Sequence, residues 1–446
     1  MTSLELLQEK TSVPLYLVGG AVRNELLGYP SSDVDICGDI SPEKLSEVLL
    51  GLFVVRDVNP RIGTVKLQRE GDSFEYTRFR RDSYPLSSGR HAPSEVSFVG
   101  SPEEDAFRRD FTVNAIYKRV TDGAILDPTG GLKDLEKRVL RTTREPEKVF
   151  SEDGLRLLRL VRLAAELGFD IEKETFAAAK KFAPLLADIS VERKREELER
   201  MLRADLKYGV EGAAYRAFEL LAELGLYPYF IPELEEGIGV EQPSQYHKYD
   251  VFHHILHTLQ AAPEHLRLAA LLHDVGKPLC MRRDGNFYMH SLESALITER
   301  ILRRFRYSNA VVNRTVEIVR WHMFDFNGSA SENKKRRFVR REWDLLEDIV
   351  LLKHADSVGT GYFDRNVYGD ALLALKDEMA REGVPIRPKD LPVDGRDLER
   401  LGVEPQYRST VLRTLLDRQA DVGVLRDKEH VEREAMNIVI ELRRKQ

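Results

Sequence analysis

The character of the sequence changes near residue 140, and this change limits the choice of fold more than any other feature. Up to that point, short runs rich in β-forming residues alternate with turn signals, and helical pieces at 21–27 and 42–50 interrupt them. From residue 152 onward the hydrophobic spacing is almost wholly helical. We therefore predict an α+β chain in which a mixed sheet carrying helices precedes an all-helical remainder. The predicted strands include 14–18, 33–37, 63–67 and 74–77.

The composition excludes several classes of protein. The 446 residues are enough for about three domains of roughly 150 residues each. A net charge of −6 excludes a uniformly basic nucleic-acid binder, although the basic stretch 334–341 is either a solvated face or a local RNA contact. Cys37 and Cys280 cannot form a disulfide framework, and no run approaches the ~18 apolar residues of a membrane span. We expect a cytoplasmic protein with no membrane association.

Two carboxylates stand two residues apart in the string SSDVDICG. On a strand, Asp33 and Asp35 would point to the same face, an arrangement that suits divalent cations with a preference for oxygen ligands. Upstream, a predicted strand runs into Gly19 and Gly20 and then into a helix that carries Arg23. Glycines allow close backbone approach, and amides at a helix start attract phosphate oxygens. The functional interpretation is a phosphate-binding site beside a metal-binding site, and the alternative is a solvated strand edge.

A third motif is RRDFTVNA, at 108–115. Its paired arginines could hold a triphosphate and Asp110 a sugar hydroxyl, or the motif could be a surface ion pair at a helix start. Glu75, in the run FEYT, is a candidate third carboxylate with an equally good structural interpretation.

A fourth motif is SEDGLRLLRLVR, at 151–162. On one continuous helix, Glu152, Asp153, Arg156 and Arg159 would form a single polar stripe opposite a packed apolar side. Intrahelical salt bridges would explain such a stripe. Asp and Arg are also the side chains that hydrogen-bond the edges of bases.

Taken together, the motifs VGGAVRNELLG, DVD, RRDFTVNA, DPTGGLKDL and EDGLRLLRLVRLAAELGF closely resemble those of the class II tRNA nucleotidyltransferases, the bacterial CCA-adding enzymes. The resemblance covers roughly residues 10–240 and implies a polymerase-beta-like head and a helical neck. It implies that Asp33 and Asp35 are catalytic and bind two Mg²⁺ ions, and that Asp153 and Arg156 hydrogen-bond the incoming base in place of a template. The nucleotide-binding residues that it implies are Gly19, Gly20, Arg23, Arg109, Asp110, Asn114, Glu152, Asp153, Arg156, Arg159 and Arg162.

Two departures from the family pattern stand out. Asn24 occupies a position at which the family usually has Asp, which leaves one supporting contact in question. The stretch 81–96 occupies the flexible loop implicated in the switch from C to A addition, and it differs from the commoner form. CC-only or A-only addition therefore stays an alternative to full CCA addition.

Histidines cluster in one segment around the string LLHDVGK. A His-Asp pair after an apolar helix, with an earlier His and a later Asp, supplies four mixed ligands for a divalent metal. The segment resembles the HD phosphohydrolase domain, which implies the ligands His254, His273, Asp274 and Asp356 for an ion such as Mn²⁺, Ni²⁺, Co²⁺ or Mg²⁺. His290 and His322 are candidate ligands of a second metal.

The motifs and the resemblance together divide the chain into four parts. These are a catalytic head at 1–140, a helical neck that binds nucleotide and RNA at 141–240, an HD domain at 241–360 and a tRNA-contacting tail at 361–446. The expected partners are tRNA, CTP and ATP, with no stable protein partner. Three rival interpretations are a bacterial poly(A) polymerase, a pure HD phosphohydrolase and a non-catalytic RNA-binding module. The first is disfavoured because no segment rich in Gly-Arg-Arg-Phe separates DVD from RRDF.

Overall fold

A mixed sheet of seven strands organises the amino-terminal part of the chain. The computed structural model describes residues 2–31, 34–84, 95–422 and 427–444. Its strands are β1 (Tyr16–Val18), β2 (Val34–Gly38), β3 (Val54–Asn59), β4 (Thr64–Arg69), β5 (Asp72–Arg78), β6 (Arg80–Ser83), β7 (Glu95–Phe98), β8 (Tyr117–Arg119), β9 (Ile125–Leu126), β10 (Val139–Leu140) and β11 (Asp170–Ile171). The sheet order is β3-β4-β5-β2-β1-β8-β9, while β6 pairs with β7 and β10 with β11. The predicted α+β class is confirmed, although β11 adds a short strand to a neck predicted to be all helical.

The middle of the sheet is buried on both faces. Strand β2 runs antiparallel to β1 and parallel to β5. Leu17 and Ile36 pack into the core on one face, whereas Val18 and Cys37 pack into the core on the other, as the two-residue period of a strand requires. Because β2 is buried only from its third residue onward, Asp35 near its start stays half-buried and accessible from one side.

In the first of two compact units, Met1–Glu235, twelve α-helices accompany the strands among the described residues. They are α1 (Ser3–Lys10), α2 (Gly20–Leu27), α3 (Pro42–Val48), α4 (Pro102–Ala106), α5 (Gly131–Glu136), α6 (Pro146–Glu152), α7 (Leu155–Leu167), α8 (Lys173–Lys181), α9 (Val191–Leu202), α10 (Ala204–Tyr208), α11 (Ala213–Glu223) and α12 (Pro232–Glu235). Helix α7 packs against α9, α10 and α11, and all but one of its thirteen residues are buried. This packing fixes the helical neck beside the motifs of the sheet.

The predicted continuous helix through residues 152–159 is wrong. Helix α6 ends at Glu152, Asp153 is extended with φ −148° and ψ 104°, and α7 begins at Leu155. The break coincides with a close approach, because a Cβ on Gly154 would lie 2.8 Å from the carbonyl oxygen of Leu185. Glu152 and Asp153 therefore do not share a helical stripe with the arginines of α7.

The second unit, Glu236–Gln446, contains helices joined by loops and no strand among its described residues. Its helices are α13 (Val251–Ala261), α14 (Arg267–Leu272), α15 (Lys277–Asp284), α16 (His290–Arg304), α17 (Asn309–Trp321), α18 (Glu332–Arg341), α19 (Leu346–Gly359), α20 (Val367–Arg381), α21 (Gly395–Arg400), α22 (Pro405–Ala420) and α23 (Lys428–Arg444). Among the described residues, no helix is both long and apolar enough to span a membrane. The finer four-part division of the chain stays a prediction.

The basic stretch 334–341 lies on α18 and is largely engaged within its own unit. Arg336 is 1% exposed, donates from Nε to the carbonyl oxygen of Ala420 at 2.7 Å and pairs with Glu382 on the end of α20. Arg340 pairs with Asp417 of α22 at 2.6 Å. These arginines hold α18 against α20 and α22, so an RNA contact stays a prediction only for the exposed members of the stretch.

Candidate functional site

A cleft of about 730 Å³ in the first unit brings together most of the residues singled out from the sequence. We call it the arginine-rich cleft. The predicted residues that line it are Gly19, Gly20, Arg23, Asp35, Arg109, Asp110, Asn114, Asp153, Arg156, Arg159 and Arg162. Glu152 is not among the lining residues, and Asp33 lies outside the described part of the chain, as do residues 85–94 of the predicted flexible loop.

The turn between β1 and α2 places backbone directly against Asp35. Gly19 has φ 73°, and a Cβ there would lie 3.0 Å from Asp35 Oδ2 and 3.9 Å from Arg109 Nη1. Only glycine combines this positive φ with such a close approach. Across the neighbouring strand pair, Glu75 lies in register with Asp35, although its side chain is exposed. One carboxylate, one backbone turn and one guanidinium therefore meet at this end of the sheet.

Asp105, at the end of α4, fixes the paired arginines of the RRDF motif. Its carboxylate accepts from Arg108 Nε at 2.7 Å, from Arg109 Nε at 3.1 Å and from the Tyr117 hydroxyl at 2.8 Å. Burial alone would raise the pKa of Asp105, but Arg109 and Arg108 lower it to about 2. Sequence reasoning missed this residue. The i+3 and i+4 spacing from Asp105 to Arg108 and Arg109 was the available signal.

A chain of hydrogen bonds connects the neck to the head through Asp110. Arg159 donates to Asp110 Oδ2 from Nε at 2.7 Å, and Asp110 Oδ1 accepts from Asn114 Nδ2 at 3.1 Å. Asn114 Oδ1 in turn accepts from Arg23. Burial would raise the pKa of Asp110, but the charge of Arg159 lowers it well below its usual value, so the carboxylate is ionised.

The EDGLR motif meets the cleft through Asp153 and Arg156. Arg156 is 7% exposed and donates to the carbonyl oxygens of Val149 at 2.9 Å and Arg108 at 2.8 Å, as well as to Glu152 at 3.1 Å. Asp153 accepts from Arg193 Nη2 of α9 at 2.8 Å. Arg156 is thus held by carbonyl groups on two sides, and Asp153 is held by a residue outside the motif.

Cations exceed carboxylates in the arginine-rich cleft. Arg162 is paired with Glu166 at 2.8 Å and with Glu197 at 2.6 Å. The basic lining residues that the sequence did not indicate are Arg193, Arg200 and Lys207 of α9 and α10. No local motif marks them, because they reach the cleft only through the packing of α9 and α10 on α7. The described lining has the composition of an anion-binding site.

A second site, which we call the His–Asp cluster, lies in the second unit. His254 is on α13, the His273–Asp274 pair follows α14, and Asp356 is on α19. His254 Nε2 lies 3.1 Å from Asp274 Oδ2, 3.0 Å from Asp356 Oδ1 and 3.2 Å from His273 Nε2. The candidate ligand atoms of these four buried residues all lie within 4.8 Å of one another. The structure therefore brings the four predicted ligands together.

His290 and His322 extend the cluster on the far side of Asp274. Their Nε2 atoms lie 3.2 Å and 3.7 Å from Asp274 Oδ1. Burial lowers the pKa of His322 to about 3, with His273 adding to the effect, so this imidazole is neutral. Asp274, His290 and His322 form a second group whose ligand atoms meet the same 4.8 Å limit.

The hydrogen bonds around the cluster turn one ring nitrogen of each histidine toward its interior. The Nδ1 atoms of His273, His290 and His322 lie 2.7, 2.8 and 2.6 Å from backbone carbonyl oxygens, so Nδ1–H donates and Nε2 faces the cluster. Asp274 Oδ1 and the Nε2 atoms of His290 and His322 are buried without a hydrogen-bond partner among the described residues. This donor set fits a divalent cation of the transition series.

Lys277 and Gly276 of the HDVGK string complete the local structure. Lys277 Nζ lies 2.6 Å from Asp274 Oδ2 and donates to Gln242 Oε1 at 2.7 Å. A Cβ on Gly276 would lie 2.5 Å from the backbone nitrogen of Ser294, so glycine allows α16 to approach. An ammonium group therefore stands at the edge of the cluster.

The matching family models follow the order of these sites along the chain. Residues 15–141 match the poly A polymerase head domain, residues 168–238 the probable RNA and SrmB-binding site of polymerase A, and residues 234–360 the HD domain. The crystal structure of the Bacillus stearothermophilus CCA-adding enzyme in complex with CTP is similar, with a TM-score of 0.69 and 27% identity, over 99% of this chain and 98% of that one.

Relatives in sequence agree with the structural likeness. The CCA-adding enzyme of Bacillus pumilus is 32% identical over 387 residues, covering 86% of this chain and 82% of the relative. The CC-adding tRNA nucleotidyltransferase of Thermus thermophilus is 34% identical over 389 residues, covering 83% and 82%. Against other curated CCA-adding enzymes, the chain spans about half of the relative's length. The two long alignments confirm the resemblance seen in the motifs, and the chain belongs to the family of tRNA nucleotidyltransferases that includes the CCA-adding and CC-adding enzymes.

Proposed function

We propose that this chain adds C, C and A to the 3′ end of tRNA, using CTP and ATP as donors and no nucleic-acid template. The observation that carries the proposal is the arginine-rich cleft itself. It joins Asp35 and the phosphate-binding residues of the head to Asp153 and Arg156 at the start of the neck. A metal-binding carboxylate, an anion site and base-edge partners in one cleft are what untemplated nucleotide transfer requires.

In the proposed reaction, the 3′-hydroxyl oxygen of tRNA bonds to the α-phosphorus of the nucleotide. The bond from the α-phosphorus to the bridging oxygen breaks, and pyrophosphate leaves. Asp33 and Asp35 would hold two Mg²⁺ ions, which when bound polarise the hydroxyl group and balance the charge of the leaving group. Arg23 and Arg109 would hold the triphosphate, since guanidinium groups bind phosphate oxygens with fixed geometry.

Base selection would fall to Asp153 and Arg156. The carbonyl oxygens of Val149 and Arg108 fix the guanidinium of Arg156, while Arg193 fixes the carboxylate of Asp153. Rigid donors and acceptors are needed when no template base is present to discriminate. Glu152 would act by supporting Arg156, which it contacts at 3.1 Å.

For the His–Asp cluster, we propose a bound divalent cation such as Mn²⁺, Ni²⁺, Co²⁺ or Mg²⁺ on His254, His273, Asp274 and Asp356. His290 and His322 would supply a second metal position. Phosphate-ester hydrolysis is a second candidate function of the chain, favoured by the ammonium group of Lys277 beside the cluster. Metal analysis of the full chain tests the cluster, and absence of any bound divalent ion would exclude both proposals for it.

The partners we propose are tRNA, CTP and ATP, with no membrane and no stable protein partner. We also propose a cytoplasmic location. The support for it is that Cys37 and Cys280 are buried as free thiols rather than paired in a disulfide.

One assay tests the main proposal against its neighbours. Three tRNA transcripts, ending before CCA, after C and after CC, are each given CTP, ATP or both. Completion of CCA on all three transcripts supports the proposal. CC addition alone, A addition alone or untemplated A tails would each replace it with another activity of the family, and no extension at all would reject nucleotide transfer.

A further inference from the structure

The guanidinium group of Arg23 is buried and held by neutral oxygens. Arg23 is 3% exposed, and it donates to Asn114 Oδ1, to Asn24 Oδ1 at 3.0 Å and to the Tyr208 hydroxyl at 2.8 Å. Its Nε has no hydrogen-bond partner among the described residues, and no described carboxylate forms an ion pair with it. Within the described part of the chain, this buried guanidinium group is therefore held by hydrogen bonds to neutral groups and not by an ion pair.

Tyr208 reaches Arg23 from a distant part of the sequence. It is the last residue of α10, is 7% exposed, and is separated from Arg23 by 185 residues. Its hydroxyl group accepts from Arg23 and donates to Asn24 Oδ1 at 3.0 Å. Its ring packs edge-on against Tyr29 with centroids 5.0 Å apart. Arg23, Asn24 and Tyr208 thus form a closed triangle of hydrogen bonds at the wall of the cleft.

The triangle explains how Arg23 is oriented without being neutralised. A carboxylate at position 24 would fix the guanidinium by charge and would weaken its field in the cleft. An amide and a hydroxyl fix it by geometry and leave its full charge for an anion in the cleft. Resting on the proposed function, we propose that Tyr208 and Asn24 are positioning residues that hold Arg23 toward the triphosphate of the incoming nucleotide.

The first test is Tyr208→Phe, which keeps the ring and removes the hydroxyl. Loss of one hydrogen bond to a charged group should raise KM for CTP and ATP about tenfold, with kcat and KM for tRNA changed less than about threefold. Tyr29→Phe removes the hydroxyl of the partner ring and leaves the triangle intact, so it should behave as the parent chain. Unchanged nucleotide KM in Tyr208→Phe, or an equal rise in Tyr29→Phe, would overturn the inference.

A double-mutant cycle separates positioning from folding. In an Asn24→Asp background the carboxylate holds Arg23 by charge, so Tyr208→Phe should raise nucleotide KM only about twofold there. A merely structural hydroxyl would cost the same factor in both backgrounds, and that result would overturn the inference. If the parent chain extends no transcript, the proposed function fails. If the parent extends them and the cycle shows no coupling, only the inference fails.

Discussion

The arginine-rich cleft and the His–Asp cluster are both built from ionisable side chains, but their electrostatic balance is opposite. In the cleft, Asp110 is paired with Arg159, and Asp153 with Arg193, while Arg23 is held by the neutral amide of Asn24 and, among the described residues, by no ion pair. In the cluster, two carboxylates and four imidazoles form two groups of candidate metal ligands that share Asp274, with Lys277 at the edge. A bound anion would balance the charges of the arginine-rich cleft, whereas a bound cation would balance those of the His–Asp cluster.

The comparison shows that the two sites offset the free-energy cost of burying polar side chains in different ways. The cleft is open, so water and substrate reach its charges, and its carboxylates serve mainly to orient arginines. The cluster is closed, and its carboxylates and imidazoles are at most 8% exposed, so unpaired lone pairs there are costly unless a cation takes them. Variants at each site should therefore affect different measurements.

Asp35→Ala should produce the largest effect on the cleft. It removes the described carboxylate at the end of the sheet, so nucleotide addition should fall by at least about a thousandfold, while tRNA binding persists. The measurement is single-turnover extension of a tRNA transcript together with a binding assay for the same RNA. Asp57→Ala is a suitable control because its carboxylate, on strand β3, is exposed and is paired with Lys66. Undiminished addition by Asp35→Ala would refute its metal-binding role.

Asp274→Asn should break the cluster and leave the cleft intact. Asp274 belongs to both groups of candidate ligands, so its loss should weaken divalent-metal binding by about a hundredfold, and the purified chain should carry little metal. Nucleotide addition should stay within about twofold of the parent value, because none of the described residues that line the arginine-rich cleft belongs to the second unit. His265→Asn, at an exposed imidazole paired with Asp348, serves as the control. Parent-level metal content in Asp274→Asn would contradict the cluster as the binding site.

Much of the fold could be predicted because local patterns decide it. The four predicted β runs coincide with β1, β2, β4 and β5, and the helical region begins where the periodicity changes. The continuous helix at 152–159 failed for a tertiary reason. The approach of Gly154 to Leu185 is invisible in the helical spacing of the motif itself.

The candidate sites divide in the same way. Residues inside motifs, such as Gly19, Asp35 and His273, could be chosen by spacing and chemistry. Arg193 and Tyr208 could not, because they belong to no motif. Arg193 reaches the cleft, and Tyr208 reaches Arg23, only when α9 and α10 pack on α7. The basic stretch on α18 shows the opposite case. Its charges suggest an exposed surface, but Arg336 is buried because it contacts Ala420 of α22 and Glu382 at the end of α20.

Asp105→Asn should give an intermediate effect, on stability and on its pH dependence. Because the pKa of Asp105 is depressed to about 2 in the folded chain, its carboxylate stabilises the fold at neutral pH by about 2 kcal/mol. That contribution is present above the unfolded-state pKa of about 4 and is lost as the pH falls toward 2. Denaturant unfolding should therefore show parent and variant differing at pH 7 and converging below pH 4. Asp122→Asn, at an exposed carboxylate paired with Arg119, provides the comparison. A difference that does not narrow in acid would contradict the assigned ion pairs.

Lys207→Ala should produce the smallest effect. Its ammonium group lines the cleft but is exposed, and it lies 5.4 Å from the ring of Tyr208. An exposed charge that meets RNA phosphate contributes little, so KM for tRNA should rise only about twofold at low salt. The slope of log KM against log salt should also become shallower by less than about one, because one fewer counterion is released. Lys10→Ala, on the exposed side of α1 and paired with Glu9, should leave both quantities unchanged. A rise in KM for CTP and ATP with no change in the salt slope would instead mean that Lys207 acts through Tyr208 and Arg23 rather than on RNA.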